Sequence, residues 1–410
     1  MTQIQPPQEN SPPRPRTSTD SVGKLSGGPS TGRLVGVDLA RALAVFGMYI
    51  VHIGPPLSAT DGVARWVRYL ADGHSSVLFA TLAGFSLMLI AGRREPKAGP
   101  AGRRAKARIA IRAAVLLALG TVLAMEYGGV IILGFYGVYF LLALPLLRLS
   151  AKTLAILAAG LALATPQLAF VLNSLLSESV QQSIDAYDPL KKISEVGVLD
   201  LLLTGFYPTI TWMSFVVAGM ALARLDLSAV SVQRRSAALG AALTVGAYGL
   251  SLLLAGTDAL RSMAEGGKSS AGSEAASFGS GSFETQRSAS ELLSAGPHSG
   301  TTFDIVGSVG VAVLVIVGGT VLMDRLPRLR RPAKPVIAVG TMSLTAYVGH
   351  FVVQSMVGIP AGESSQESWV PVLTFVLGAI VFATVWSRFF RRGPLEALLN
   401  AATKPAKHIR

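Results

Sequence analysis

Asp38, Arg41 and His52 lie within one apolar stretch, RLVGVDLARALAVFGMYIVHIGPP, long enough to cross a bilayer. Ionisable residues inside such a helix are costly and usually turn toward a bundle interior or a wet cavity. At about 100° per residue, Asp38, Arg41, Val45, Met48, Tyr49 and His52 share one side of the helix. Asp38 and Arg41, at i and i+3, can pair and offset each other's charge. Arg41 and His52 are separated by roughly 16 Å along the axis, so a cation stands near one end and an imidazole near the other. An imidazole of ordinary pKa, about 6.5, can take a proton from a hydroxyl or an amine. The same residues can instead serve only to seat the helix at a membrane boundary and bond it to its neighbours.

Three further histidines stand beside the ends of apolar stretches. His74 lies in ADGHSS with Asp72, His298 in GPHSGTTFD, and His350 in GTMSLTAYVGH with Tyr347. Around His298, the glycines and proline force a tight turn, and the N–H groups near Ser299 and Gly300 open the next helix, where an oxyanion can be held. His52 and His298 are therefore the candidate catalytic residues, with Asp72, His74, Ser299, Tyr347 and His350 as candidate lining. Tyr136, Gln167, Trp212, Thr345 and Gln354 are polar groups within apolar stretches, suited either to line a cavity or to join helices. No two of the histidines have the i,i+4 spacing of a helical zinc site, so no metal is expected. The absence of cysteine excludes disulfides and thiolate chemistry. The one G-x-S-x-G string, GPSTG at 28–32, lies in the Pro- and Gly-rich N-terminal stretch and not between a strand and a helix, which speaks against a hydrolase triad.

The elements that must position these groups are membrane helices. Half of the residues are hydrophobic and only 14% are charged, too few charges for a soluble chain of this length. About ten spans can be drawn, at 35–54, 75–92, 109–126, 129–148, 152–173, 206–224, 236–256, 304–323, 335–356 and 370–389. The net charge of +13 is distributed in a way that assigns topology rather than nucleic-acid binding. Arg93 to Arg108, Arg148 and Lys152, Arg224 to Arg235, Arg325 to Lys334, and Arg388 to Arg392 occupy alternate connections. The positive-inside rule places these connections and both termini in the cytoplasm. His52, His74, His298 and His350 then share the outer face, and only His408 is cytoplasmic. The fold expected is an all-α polytopic transmembrane bundle in the cell membrane.

Residues 1–32 are rich in Pro, Ser, Thr and Gly and read as a disordered cytoplasmic tail. Residues 33–400 form the membrane domain. Within it, 257–303 reads from its Ser, Gly and Ala content as a flexible extracytoplasmic loop, and 401–410 as a second cytoplasmic tail.

The first helix, DGHSSVLFATLAG, PHSGTTFDIVGSVG, GTMSLTAYVGH and the closing RRGPLE together resemble a DUF418 (YeiB-like) membrane protein. The wider group includes heparan-α-glucosaminide N-acetyltransferase and the acyltransferase-3 proteins. Two positions depart from the pattern: Ala42 follows the arginine where glycine is common, and His74 stands where arginine is expected. The resemblance implies a transmembrane acyltransferase. It would move an acyl, most simply acetyl, group from cytoplasmic acyl-CoA to a cell-envelope glycan or lipid outside. Arg41, with Asp38, would face the donor and His52 would act as base or acyl relay. It implies acyl-CoA as a substrate rather than a resident cofactor. The partners implied are the bilayer, acyl-CoA and the acceptor; a homo-oligomer is left open, and no nucleic acid is expected from the distribution of charge. The alternative is a small-molecule or lipid transporter or flippase, which would use the charged helix as its coupling site. No internal repeat and no paired broken helices are visible to favour it.

Overall fold

The computed structural model describes residues 34–260, 289–359 and 368–409. The 1–32 tail, the 261–288 portion of the outer loop and residue 410 lie outside the described residues. Among those described, all regular structure is helical. In order, the helices are α1 (Val35–Ile53), α2 (Gly62–Ala71), α3 (His74–Ala91), α4 (Gly99–Tyr127), α5 (Leu133–Ala143), α6 (Ala151–Leu175), α7 (Glu178–Tyr187) and α8 (Pro189–Ser194). They continue as α9 (Thr209–Arg224), α10 (Val230–Ala255), α11 (Thr302–Arg325), α12 (Lys334–Thr341), α13 (Ser343–Met356), α14 (Val370–Phe389) and α15 (Pro394–Ala402).

Among the described residues, seven helical segments are long and apolar enough to cross a membrane: α1, α2 with α3, α4, α6, α10, α11 and α14. The chain is a multi-pass membrane protein of all-α architecture. Three expected spans take other forms. The 129–148 stretch yields the 11-residue α5, because a 3₁₀ turn at Gly128–Val130 precedes it and another at Pro145–Arg148 follows. The 206–224 stretch yields the 16-residue α9. The 335–356 stretch is α12 and α13, bent by 85°. Residues 62–71, drawn as connection, are helical and lead almost directly into α3.

The bend has an identifiable cause. Met342 leaves helical geometry at φ −120° and ψ 32°, and the N–H groups of Leu344 and Thr345 donate to the Glu396 carboxylate at 2.8 and 3.2 Å. Thr345 Oγ1 donates to the other oxygen of Glu396 at 2.5 Å. A carboxylate at a helix N-terminus satisfies otherwise orphaned donors and complements the helix dipole. The RRGPLE motif thus caps α13 from α15.

The core is contiguous through α1, α3, α9 and α11, with Val45, Phe85, Val216 and Ile316 fully buried. At the α3–α9 crossing, a Cβ on Gly84 would strike the Val216 carbonyl and one on Gly219 the Thr81 carbonyl. Only glycine allows these backbones to approach so closely. The described part of the loop read as flexible, and the tail that follows residue 400, both contain packed residues. Residues 289–303 form a 3₁₀ turn, Ala289–Leu293, followed by buried Ala295 and Ser299. In the 401–410 tail, Thr403 and Ala406 are buried, and Ile409 accepts a hydrogen bond from Arg104 at 2.9 Å.

Candidate functional site

The C-terminal end of α1 and the middle of α13 bring two imidazoles together. His52 Nδ1 lies 2.9 Å from His350 Nε2, and both side chains are buried. His350 Nδ1 faces the Tyr347 carbonyl, which can only accept. Nδ1 of His350 therefore carries the proton and its Nε2 the lone pair. His52 Nδ1 must then donate, which leaves the lone pair of His52 on Nε2. Phe351 packs on both rings and Tyr49 on His350. Tyr49 is itself held by a 2.8 Å hydrogen bond to the Ala346 carbonyl. This packing fixes ring orientation, so a neutral pair presents one basic nitrogen.

Beside the pair lies a charged triad. One oxygen of Asp72 is 3.8 Å from Arg68 Nη1, and the other is 3.8 Å from His298 Nε2. Arg68 also donates from Nε to the Pro55 carbonyl at 3.2 Å, which ties it to the turn following α1. Arg68 and, when protonated, His298 act electrostatically on His52, so pair and triad are coupled. A Cβ on Gly73 would come 2.9 Å from Pro297, so glycine is what lets the His298 turn settle over Asp72. His298 itself is left-handed at φ 64°, a conformation uncommon outside glycine and a reason to look for function. Burial holds the His298 imidazole below its usual range; Asp72 opposes this and Arg68 adds to it. His298 Nδ1 and Arg68 Nη1 are buried without a hydrogen-bond partner among the described residues.

The expected oxyanion hole at Ser299 and Gly300 does not form. Ser299 N–H donates to the Gly296 carbonyl at 3.1 Å and Gly300 N–H to Asp304 at 3.1 Å. Asp304 belongs to the N-terminal cap of α11, where its own N–H donates to Thr301 Oγ1 at 3.2 Å. The turn consumes the donors that the sequence offered. His74 also turns away from His52. Its Nε2 lies 2.8 Å from Tyr248 Oη, which continues to Ser308 at 3.1 Å and from there to Asp304 at 3.0 Å.

Asp38 and Arg41 are distant from this centre along α1. Arg41 donates from Nη1 to Asp38 at 2.6 Å and from Nη2 to Ser86 Oγ at 2.8 Å, so the guanidinium joins α1 to α3. Of the other polar groups, Tyr347 accepts from the Ile132 N–H at 3.2 Å, and Trp212 stacks on His298 with centroids 6.2 Å apart. Gln354 donates to the His52 carbonyl at 3.5 Å. Gln167 reaches Thr302 on the exposed side, and Thr345 serves the α13 cap.

Arg68 is the residue that sequence reasoning missed. It falls in the stretch taken as connection, although its i,i+4 spacing to Asp72 was a readable signal.

Buried imidazoles, a bracketed carboxylate and a guanidinium with one unpartnered nitrogen thus gather at one end of a multi-pass membrane bundle. The family described as heparan-alpha-glucosaminide N-acetyltransferase, catalytic, matches residues 33–254, more than half of the chain, and the chain belongs to it. Residues 278–405 match a second family, described as protein of unknown function (DUF418). Comparison with curated proteins gives no match. The first match carries His52, Arg68 and Asp72, and the second carries His298 and His350.

Proposed function

We propose that the protein transfers an acetyl or similar acyl group from a coenzyme A thioester, bound from the arginine-rich end, to a hydroxyl or amine of a cell-envelope glycan or lipid at the histidine end. The observation that carries this reading is the His52–His350 contact at 2.9 Å. It sets the His52 tautomer so that Nε2 can act as base. In the step, His52 Nε2 takes the acceptor proton as the acceptor oxygen or nitrogen attacks the thioester carbonyl. The tetrahedral intermediate collapses with departure of the thiolate, which the protonated imidazole can neutralise. Arg68 Nη1 takes the oxyanion role that Ser299 and Gly300 cannot fill, while Asp72 keeps Arg68 and His298 in place. Electrostatic stabilisation of an oxyanion is commonly worth about 10²–10³ in rate, and general-base help about 10²–10⁴.

The test is label transfer from radiolabelled acetyl-CoA to an envelope extract by the purified protein in lipid nanodiscs. Labelled glycan or lipid is expected. Neither transfer nor hydrolysis of the thioester would remove the reading. The transporter alternative gains one observation, the broken α12–α13 segment, since discontinuous helices line many transport sites. It is the one bent pair among the described residues, without a counterpart in a second half. Uptake of the acceptor into vesicles without acyl transfer would favour that alternative.

A further inference from the structure

At the end of the bundle opposite the histidines, several arginines have visible partners. Arg224 donates to the carbonyls of Leu149, Leu147 and Arg93, and Arg93 to those of Ala223 and Leu225. Arg94 pairs with Asp226 at 2.9 Å and Arg330 with Asp324 at 3.4 Å. Arg108, Arg112 and Arg392 differ. Arg108 and Arg112 are i and i+4 on α4, while Arg392 precedes α15, which packs on α4. Arg392 and Arg108 are the charged groups that act on Arg112, and among the described residues no carboxylate pairs with any of the three. Arg112 Nε is buried without a hydrogen-bond partner. The nearby Glu396 carboxylate is committed to α13. The loop bearing Arg392 is held in place by Trp386, whose indole N–H donates to the Arg392 carbonyl at 2.8 Å and whose ring stacks on Phe390 at 4.4 Å.

Two like charges one turn apart on α4, a third at the start of the helix packed against it, and a buried Arg112 donor left unused make a setting that an anion can complete. We propose that Arg108, Arg112 and Arg392 bind a phosphate-bearing ligand. Guanidinium forks match phosphate oxygens in pairs, which a lysine cannot do. Two sources share this chemistry: the nucleotide phosphates of a coenzyme A thioester, which rests on the acyltransfer reading, and the headgroup of an anionic membrane lipid, which does not.

The experiment uses full-length protein in detergent and two probes. Adenosine 3′,5′-bisphosphate binding is measured by calorimetry, and retained phosphatidylglycerol by native mass spectrometry. R112Q/R392Q is compared with wild type and with R325Q/R328Q, a charge-matched control at exposed positions. The cluster variant should weaken one probe about tenfold or more per guanidinium lost, and the control should bind as wild type does. The probe that responds identifies the source. Without ligand, R112Q/R392Q should melt no lower than wild type, because it removes repulsion and an unpartnered buried donor. Equal binding of both probes by wild type and cluster variant, binding of neither by wild type, or an equal loss in the control would each overturn the site. His52→Ala should bind the probes normally, so loss of transfer in that variant alone reports on the acyltransfer reading and not on this site.

Discussion

The two ends of α1 solve the problem of charge in a membrane in opposite ways. At the Arg41 end, a full ion pair forms at 2.6 Å and is completed by a serine hydroxyl. Nothing there is left with chemistry to spare. At the His52 end, the ionic contacts are looser, 3.8 Å on each side of Asp72, and buried nitrogens of Arg68 and His298 have no hydrogen-bond partner among the described residues. A satisfied pair stabilises a helix crossing, whereas an unsatisfied cluster is costly and is retained where it does work. Under the proposed chemistry the first end is architecture and the second the reaction centre.

Substitutions can break or sharpen that contrast. The largest effect should come from His52→Ala, which removes the free Nε2 and should lower acyl transfer about 10²–10⁴-fold while the protein still purifies as a folded species. Transfer by this variant at the wild-type rate would make the imidazole a packing group. Asp72→Asn comes next. It removes the charge between Arg68 and His298, and the transfer rate should fall about 10- to 100-fold, less than the roughly 10²–10³ of a lost oxyanion donor, because Asp72 acts through Arg68.

Arg41→Ala should act mainly on stability, because it takes the guanidinium from a largely buried carboxylate. A loss of about 3 kcal/mol is expected, read as a lower melting temperature in detergent, with Arg41→Lys recovering part of it. If Arg41→Ala abolished donor binding at unchanged stability, the architectural reading of that end would fail. The acid limb of stability provides a smaller effect. His298 is held below its unfolded pKa of about 6.5, so the unfolded chain binds more protons as pH falls. Its contribution is fully present above that pH and is lost below it. His298→Gln should therefore flatten the decline in melting temperature between about pH 6.5 and 5. The smallest effect should be that of Arg330→Gln. Its pair with Asp324 is about half exposed on both sides, so melting should change by less than about 1 kcal/mol equivalent.

Much of the fold was legible because apolar length and alternating basic connections are local signals. The helical side shared by Arg41 and His52 follows from periodicity alone. What escaped depends on partners remote in sequence. The α12–α13 break has no proline at the bend, and its capping carboxylate comes from 52 residues downstream. The oxyanion role of Ser299 and Gly300 failed for the reverse reason: a turn that exposes N–H groups in sequence terms used them within itself. Arg68 was overlooked because apolar windows stopped short of an amphipathic helix leading into α3. Neither the pairing of His52 with His350 nor the His52 tautomer can be read from spacing, since the pairing depends on α13 lying against α1 and the tautomer on the Tyr347 carbonyl of α13.

That pairing also bears on how the protein is made. His52 and His350 are 298 positions apart, so the ribosome delivers the first long before the second. A chain stopped after α10 would contain the whole matched acetyltransferase segment yet hold only one imidazole of the two. Under the proposed chemistry the growing polypeptide stays inert through most of its insertion. Its reactive nitrogen is aligned only when α13 docks, so completion of synthesis itself switches the centre on.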